Sequence, residues 1–198
     1  MAAELCTGIT TETRGTALLL TRTEVVMDVV VAGQGYVGLP LAVRAAEAGH
    51  RGVGYDVDTD RVKRLTAGDS YVQDVPSSRL RAMLKAGAYS ATADAGTLAG
   101  FDIAVIAVPT PLRDGIPDLT CTESCARTLG ACLRPGAAVV LESTSYPGTT
   151  EELLRPVLEE AASGLKGGGG PRGLQSRTHL PGQQKVIVRG DTQGAVRN

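Results

Sequence analysis

The sequence has no tryptophan, a single phenylalanine and only 3% aromatic residues in all. That leaves little material for stacking nucleic-acid bases, and a core must be assembled from Val, Leu, Ile and Ala. No excess of one charge is present either. The formal net charge is −1, acids and bases are intermixed, and no basic face or acidic tail stands out. Nothing therefore points to nucleic acid or an anionic membrane as a partner. No apolar run approaches the ~20 residues that a membrane span requires. Leu18-Leu19-Leu20 is too short for the apolar core of a signal peptide, and Glu4 and Glu12 precede it. These absences predict a cytoplasmic protein.

Cysteine is sparse: Cys6, Cys121, Cys125 and Cys132. The last three are spaced four and seven apart, so all fall on one helix face. A face of small apolar residues packing on a sheet accounts for them. A metal site is the alternative, but the spacing is not a zinc pattern and no histidine lies nearby. No metal is expected.

What is present describes an ordinary globular chain. At 198 residues, 42% hydrophobic and 21% charged, it suffices for one well-buried domain and is too short for two full-sized ones. Residues 1–27 are rich in Thr and lack a period. Met27 stands directly before the first strand, so this segment reads as an N-terminal extension or an upstream mis-start. Residues 28–165 alternate short β-like runs with helical stretches. Residues 166–198, rich in Gly, Gln and Arg, fit neither pattern.

In the middle part, Asp28-Val29-Val30-Val31-Ala32 predicts a buried parallel strand. A helix is expected from Tyr36 to Ala48, a strand over Gly52–Asp56, and a helix beginning at Asp60. Ser78–Lys85 is helical, with Leu80, Met83 and Leu84 on one face. Asp102–Val108 is a strong central strand. Asp118 can cap a helix running to about Leu133, which Pro135-Gly136 ends. Ala137–Leu141 is another strand and Thr149–Ala162 another helix. This alternation predicts an α/β fold of Rossmann type, a doubly wound parallel sheet. Such sheets bind ligands where loops leave the carboxyl ends of the strands.

Gly33-x-Gly35-x-x-Gly38 lies at such an end, with a strand before it, a helix after it and an acid at the next strand's end. Gly33 permits the tight turn, Gly35 lets backbone approach a pyrophosphate, and Gly38 allows close helix–strand packing. The helix's first-turn amides and its dipole face the phosphates. Asp56 follows Gly38 by 18 residues. Its carboxylate can accept hydrogen bonds from the adenosine ribose hydroxyls and repels a 2′-phosphate, so NAD is favoured over NADP. A purely structural glycine turn is the alternative. Val108-Pro109-Thr110-Pro111 forces an extended exit that leaves the Thr110 hydroxyl free for a cofactor, or forms a stiff loop without contacts. Glu142–Thr150 clusters hydroxyls at a helix N-terminus. Capping by Thr149 explains part of this, but not Thr144, which is expected inside the mouth of the sheet.

Taken together, Gly33-Gln34-Gly35-Tyr36-Val37-Gly38-Leu39-Pro40-Leu41-Ala42, Val108-Pro109-Thr110-Pro111-Leu112 and Glu142-Ser143-Thr144-Ser145-Tyr146-Pro147-Gly148-Thr149-Thr150 resemble the UDP-glucose/GDP-mannose dehydrogenase family. Within it they are most similar to the UDP-N-acetylhexosamine 6-dehydrogenases. The likeness covers residues 28–165. It implies the N-terminal NAD-binding domain of a larger enzyme that oxidises the C6 alcohol of a UDP-sugar to a carboxylate, through two hydride transfers to NAD⁺ and a cysteine thioester. Carried over by position, Gly33, Gly35, Tyr36, Val37, Gly38, Asp56, Arg61 and Thr110 match the cofactor site. Thr144 matches the threonine that helps position the reacting water and the cofactor.

The chain also departs from the family's pattern. No cysteine here stands in the Gly-Gly-x-Cys-Ile/Leu-Pro setting of the family's nucleophile. The Lys and Asn of the central helix, the nucleotide-sugar domain and the helix of the family homodimer are not matched either. The expectation is a truncated form, inactive alone; an NAD-binding module without turnover is the alternative, and a small β-hydroxyacid dehydrogenase a third reading. The family continues with Tyr/Phe-Ser-Pro-Glu-Arg-Ile-x-Pro-Gly-Asn, where this chain reads Leu174-Gln175-Ser176-Arg177-Thr178-His179-Leu180-Pro181-Gly182-Gln183-Gln184. Codons for those residues, read one base later, can spell the family motif. A reading-frame shift after Gly164 is therefore expected, which makes Gly167–Gly170 shifted translation or linker rather than a phosphate loop.

Overall fold

A computed structural model of the chain describes residues 25–163 and, beyond them, the backbone of 174–179 and 185–190. The extension expected at the amino terminus lies outside the described residues up to position 24, as does most of the tail.

Strand β1, Asp28–Ala32, is where the sequence places it, and four of its five residues are buried. Its side chains alternate between two separate cores. Val29 and Val31 join Leu39, Val43, Leu65 and Leu80 on one face of the sheet. Val30 and Ala32 join Ile106, Leu129, Leu141 and Leu158 on the other. A strand with apolar residues on both faces needs helices on both sides. That requirement is the origin of the doubly wound architecture.

Helix α1, Gly38–Glu47, begins two residues later than expected, because Tyr36 and Val37 belong to the turn before it. Strand β2, Arg51–Tyr55, pairs parallel with β1 from Asp28↔Arg51 to Ala32↔Tyr55. This register places Asp56 just past the strand instead of inside it. Helix α2, Thr59–Thr66, is capped by Asp58, which accepts from the amides of Asp60 and Arg61. Helix α3, Ser77–Lys85, buries Leu80. Strand β3, Tyr89–Thr92, was not legible in the sequence; of its four residues only Tyr89 is buried. A short 3₁₀ turn, Ala95–Leu98, leads to β4, Ile103–Ile106, which ends before the predicted Val108.

A small hairpin follows, β5 Leu112–Arg113 with β6 Ile116–Pro117. Helix α4 runs over Thr120–Ala131. Asp118 caps it from one position further out, accepting from the Thr120 amide at 3.0 Å and from the Thr120 hydroxyl. Strand β7, Ala138–Leu141, is followed by a π-helical turn, Thr150–Leu154, and then α5, Arg155–Ser163. The sequence suggested one continuous α-helix here. Pro156 has no amide hydrogen and its ring clashes with the carbonyl four residues back, so the turn before it widens. The predicted cap is also corrected. Thr149 already has helical dihedrals, and its hydroxyl donates to the Tyr146 carbonyl at 2.7 Å without capping any amide.

The sheet order is β3-β2-β1-β4-β7, all parallel. Two more strands extend it: β8, Leu174–His179, and β9, Lys185–Gly190, with β9 antiparallel to β7 and β8 antiparallel to β9. They fall in the segment expected to be irregular. The edge of β7 that β4 leaves open is a template for further backbone, and β9 takes it. Among the described residues no helix is long and apolar enough to cross a membrane.

Candidate functional site

The chain leaves β1 toward β2 on one side and arrives at β4 on the other, so the topology switches between β1 and β4. The glycine turn sits at that point. Gly33 has φ +88°, and a Cβ on it would lie 2.5 Å from the Ala107 carbonyl oxygen at the end of β4. A Cβ on Gly38 would lie 1.7 Å from the Gly33 carbonyl oxygen, so only glycine lets α1 start this close to β1. Gly35 differs: a Cβ there would meet nothing within 4 Å. The turn does not need glycine at 35 for its own packing, and the open space is available to a ligand. The first turn of α1 holds no acidic residue, which leaves its positive end uncompensated.

Gln34, an unconstrained position in the motif, is fully buried. Its Nε2 donates to the Val31 carbonyl at 2.8 Å, and the Tyr89 hydroxyl donates to its Oε1 at 2.9 Å. The Tyr71 hydroxyl donates to the Gln34 backbone carbonyl. These three residues brace the turn from beneath. A signal for them was present in Gly54: a glycine inside a strand marks close approach, and a Cβ there would lie 2.5 Å from both Gln34 Oε1 and the Tyr89 oxygen.

Burial pushes the Tyr71 phenol up to about 12 and raises that of Tyr89 as well. Both phenols hold their protons more tightly folded than unfolded. Their contribution to stability is therefore complete below the ordinary value of 10.0 and is lost as pH rises toward about 12. We expect an ultraviolet titration of the five tyrosines to show three ionising above the ordinary value: Tyr71, Tyr89 and Tyr55, which burial also raises. Five tyrosines titrating together near the ordinary value would contradict the brace.

Asp56 is buried at 5% exposure. Its Oδ2 accepts from the Gln34 amide and from Arg61 Nη1, both at 2.8 Å, and its Oδ1 accepts from the Asp58 amide at 3.0 Å. A carboxylate has about four acceptor positions, so capacity remains after these three. Arg61 is raised by its bond to Asp56, and its guanidinium lies 5.7 Å from the centre of the Tyr71 ring, within cation–π range. The Asp58 carboxyl is held low by the backbone amide of Arg61.

These groups wall a cavity of about 620 Å³, within the size range of small-molecule and cofactor sites. Gly33, Gly35, Asp56 and Arg61 line it from one side and Ala107, Val108 and Pro109 from the end of β4. The third wall is α4, through Thr120, Cys121, Ser124, Cys125 and Thr128, a spacing that follows one helix face. Nothing in the sequence pattern assigned α4 to the site.

The other expected residues are dispersed. Tyr36 and Val37 are exposed beside the turn, at 75% and 56%. Gly38 is buried beneath it, and Thr110 is half-buried beyond Pro109, outside the cavity lining. Thr144 is exposed three residues past β7. Its neighbour Ser143 donates to the Val108 carbonyl at 2.8 Å, tying the β4 and β7 loops together. The packed face expected for the cysteines holds for Cys125 and Cys132, which join one core cluster, but not for Cys121. Cys125 is buried in the core, Cys121 is exposed, and Cys132 stands at the C-cap with its Sγ 3.5 Å from the Ala95 carbonyl. A second cavity of about 330 Å³ opens at the opposite end of the sheet, around Asp28 and Arg51, whose charges are paired with each other. It lacks a glycine turn.

A parallel sheet with a glycine turn at its switch point and a carboxylate at the end of the second strand defines a Rossmann dinucleotide-binding domain. The chain belongs to the UDP-glucose/GDP-mannose dehydrogenase family: residues 27–169 match that family's NAD binding domain. NAD is accordingly its cofactor, and the open space at Gly35 and the acceptor capacity of Asp56 fit it. The chain is 36% identical over 143 residues to UDP-N-acetyl-D-mannosamine dehydrogenase of Pyrococcus horikoshii, covering 72% of this chain and 34% of that protein. It is 37% identical over 141 residues to UDP-N-acetyl-D-glucosamine 6-dehydrogenase of Pseudomonas aeruginosa, covering 71% and 32%. Among solved structures, a UDP-glucose dehydrogenase of Pyrobaculum islandicum superposes with a TM-score of 0.67 at 39% identity, over 75% of this chain and 36% of that one. The chain thus spans about a third of the length of the curated relatives it matches.

Proposed function

We propose that this chain supplies the cofactor half of an NAD-dependent oxidation of the C6 alcohol of a UDP-N-acetylhexosamine. The observation that carries the reading is the cavity at the switch point between β1 and β4, with the Asp56 carboxylate in its wall. Bound there, NAD⁺ supplies the hydride acceptor. Asp56 accepts from the adenosine ribose, with its carboxylate oriented by Arg61 and the Gln34 amide. The space at Gly35 and the first-turn amides of α1 receive the pyrophosphate. Tyr36 and Val37 flank that turn, and Gly38 lets α1 approach it. Thr110 and Thr144, on the loops after β4 and β7, face the reacting end, where Thr144 holds the water and the cofactor in place. The substrate class follows the names of the relatives above.

On this reading the 198-residue chain binds NAD⁺ but yields no NADH by itself, because none of Cys6, Cys121, Cys125 and Cys132 has the neighbours of the family's nucleophile. Titration calorimetry with NAD⁺, followed by NADH fluorescence with UDP-N-acetylglucosamine and UDP-N-acetylmannosamine, tests both parts. Heat of NAD⁺ binding without NADH is expected. Absence of NAD⁺ binding overturns the cofactor assignment, and steady NADH production overturns the assignment of the nucleophile outside this chain.

A further inference from the structure

Four residues in and behind the wall of the larger cavity form a closed ring of contacts. The Gln34 backbone amide and Arg61 Nη1 both donate to Asp56 Oδ2 at 2.8 Å. The Tyr71 hydroxyl donates to the Gln34 carbonyl, and the Arg61 guanidinium lies 5.7 Å from the centre of the Tyr71 ring, which closes the circuit. Arg64, one turn further along α2, lies 5.2 Å from the same ring centre. A carboxylate that receives a ribose accounts for Asp56. It does not account for two guanidinium groups gathered on one aromatic ring beside it.

We propose that Arg61 is a specificity-determining residue of the cofactor site, a 2′-phosphate ligand that Asp56 holds occupied. Paired with Asp56, the guanidinium leaves the site to NAD; released from it, the same guanidinium takes the 2′-phosphate of NADP. The proposal rests on the reading of this cavity as the NAD site and adds to it what decides between the two cofactors.

Reach, capacity and fixity support the assignment. Asp56 and Arg61 both line the cavity and share one oxygen, so a group that meets the carboxylate also lies beside the guanidinium. A guanidinium carries five N–H donors in a planar fork suited to phosphate. The bond to Asp56 engages Nη1, Nη2 stands 3.9 Å from Asp58, beyond a hydrogen bond, and the side chain is 37% exposed. Donors therefore remain for a ligand. The Tyr71 ring, tethered to the turn through its hydroxyl, keeps the guanidinium in place when the carboxylate is removed.

The other charges nearby are already committed. The Asp58 carboxylate accepts from the amides of Asp60 and Arg61 at 3.0 and 3.1 Å. Asp60 is paired with Lys63 at 2.9 Å, and Arg64 with Asp69 at 2.7 Å. Asp56 is thus the carboxylate whose charge decides whether Arg61 is available. An ionised Asp56 repels a 2′-phosphate and at the same time occupies the cation that would bind it.

The test measures NAD⁺ and NADP⁺ affinities calorimetrically on the whole 198-residue protein and three variants: Asp56→Asn, Asp56→Asn with Arg61→Gln, and Asp56→Asn with Arg61→Lys. Asparagine keeps an acceptor for the Gln34 amide and for Arg61 while removing the charge; Asp56→Ser is the second carboxylate-free variant, used if circular dichroism shows the first unfolded. Lifting the repulsion between charges about 4 Å apart in water changes the NADP⁺-to-NAD⁺ affinity ratio by roughly fivefold. A charge-assisted bond from Arg61 adds about tenfold to a hundredfold. The ratio should therefore rise by about fiftyfold or more in Asp56→Asn and fall back to roughly fivefold above the parent when Arg61→Gln is added. Arg61→Lys, which keeps the charge and loses the fork, should fall between the two. A merely structural Arg61 would move both affinities alike and leave the ratio where Asp56→Asn put it. That result, or no rise in the ratio on removing the carboxylate, overturns the proposal. Failure of the parent protein to bind NAD⁺ is a separate outcome, which removes the cofactor reading and the proposal with it.

Discussion

Gly38→Ala should destabilise the domain severely, while Gly35→Ala, three residues earlier, should leave it folded and deprive it of NAD⁺. At 38 the new methyl meets the backbone oxygen of Gly33 at 1.7 Å, and backbone cannot swing aside as the tip of a side chain can. Relief requires moving α1 away from β1, which opens the contacts that bury Leu39, Ala42 and Val43. Overpacking of a tight core costs about 3 kcal/mol at the upper end of the usual range. That corresponds to a melting temperature lower by about 10 °C in a chain of this size. At 35 the methyl enters open space, so the melting temperature should stay within a degree or two of the parent. It takes volume from the cavity, however, and NAD⁺ affinity should fall at least about tenfold, the equivalent of ~1.4 kcal/mol. Thermal melts and calorimetry on the two variants separate a glycine needed by the fold from one needed by the ligand. Equal melting temperatures would refute the contrast.

Asp56→Ala is expected to weaken NAD⁺ binding by about tenfold to a hundredfold, the range for a hydrogen bond to a charged group of about 1.5–3 kcal/mol. Part of the loss is direct, through the ribose. Part is indirect, because Arg61 and the Gln34 amide lose their shared acceptor and the turn loses a fixed point. A buried amide left without a partner also lowers stability by about 1–3 kcal/mol. Affinity must therefore be measured where circular dichroism shows the variant folded. Cofactor preference separates the ribose role from support of the turn. Without the carboxylate the 2′-phosphate is no longer repelled, so NADP⁺ should gain on NAD⁺. Unchanged NAD⁺ affinity in a folded variant would remove Asp56 from the ribose site.

Features written in local sequence are the ones the sequence makes legible. The Val29–Val31 run defines β1, the glycine spacing defines the turn, and Asp56 stands where the next strand has to end. The illegible features depend on residues far apart. Tyr71 reaches Gln34 across 37 positions and Tyr89 across 55, so no window of sequence contains the brace. Strand β3 offers a single buried residue and no run of apolar ones. The helical spacing of Cys121 and Cys125 correctly puts them on one face, but spacing carries no information on where that face leaves the core and meets a cavity. The sequence itself places the helix upstream of Pro156, but periodicity does not tell whether a proline inside a helix kinks it or widens the turn before it.

The contact between Gln34, Gly54 and Tyr89 also constrains how this protein can drift. The carboxamide occupies the volume that a side chain at 54 would fill, and it is held there by the phenol. Enlarging residue 54 therefore displaces the Gln34 carboxamide and the Tyr89 phenol from each other, and the brace beneath the turn goes with them. Three positions far apart in the chain are thus packed as one unit. The unspecified letter between the first two glycines of the motif, which a pattern treats as free, is the member on which the other two depend.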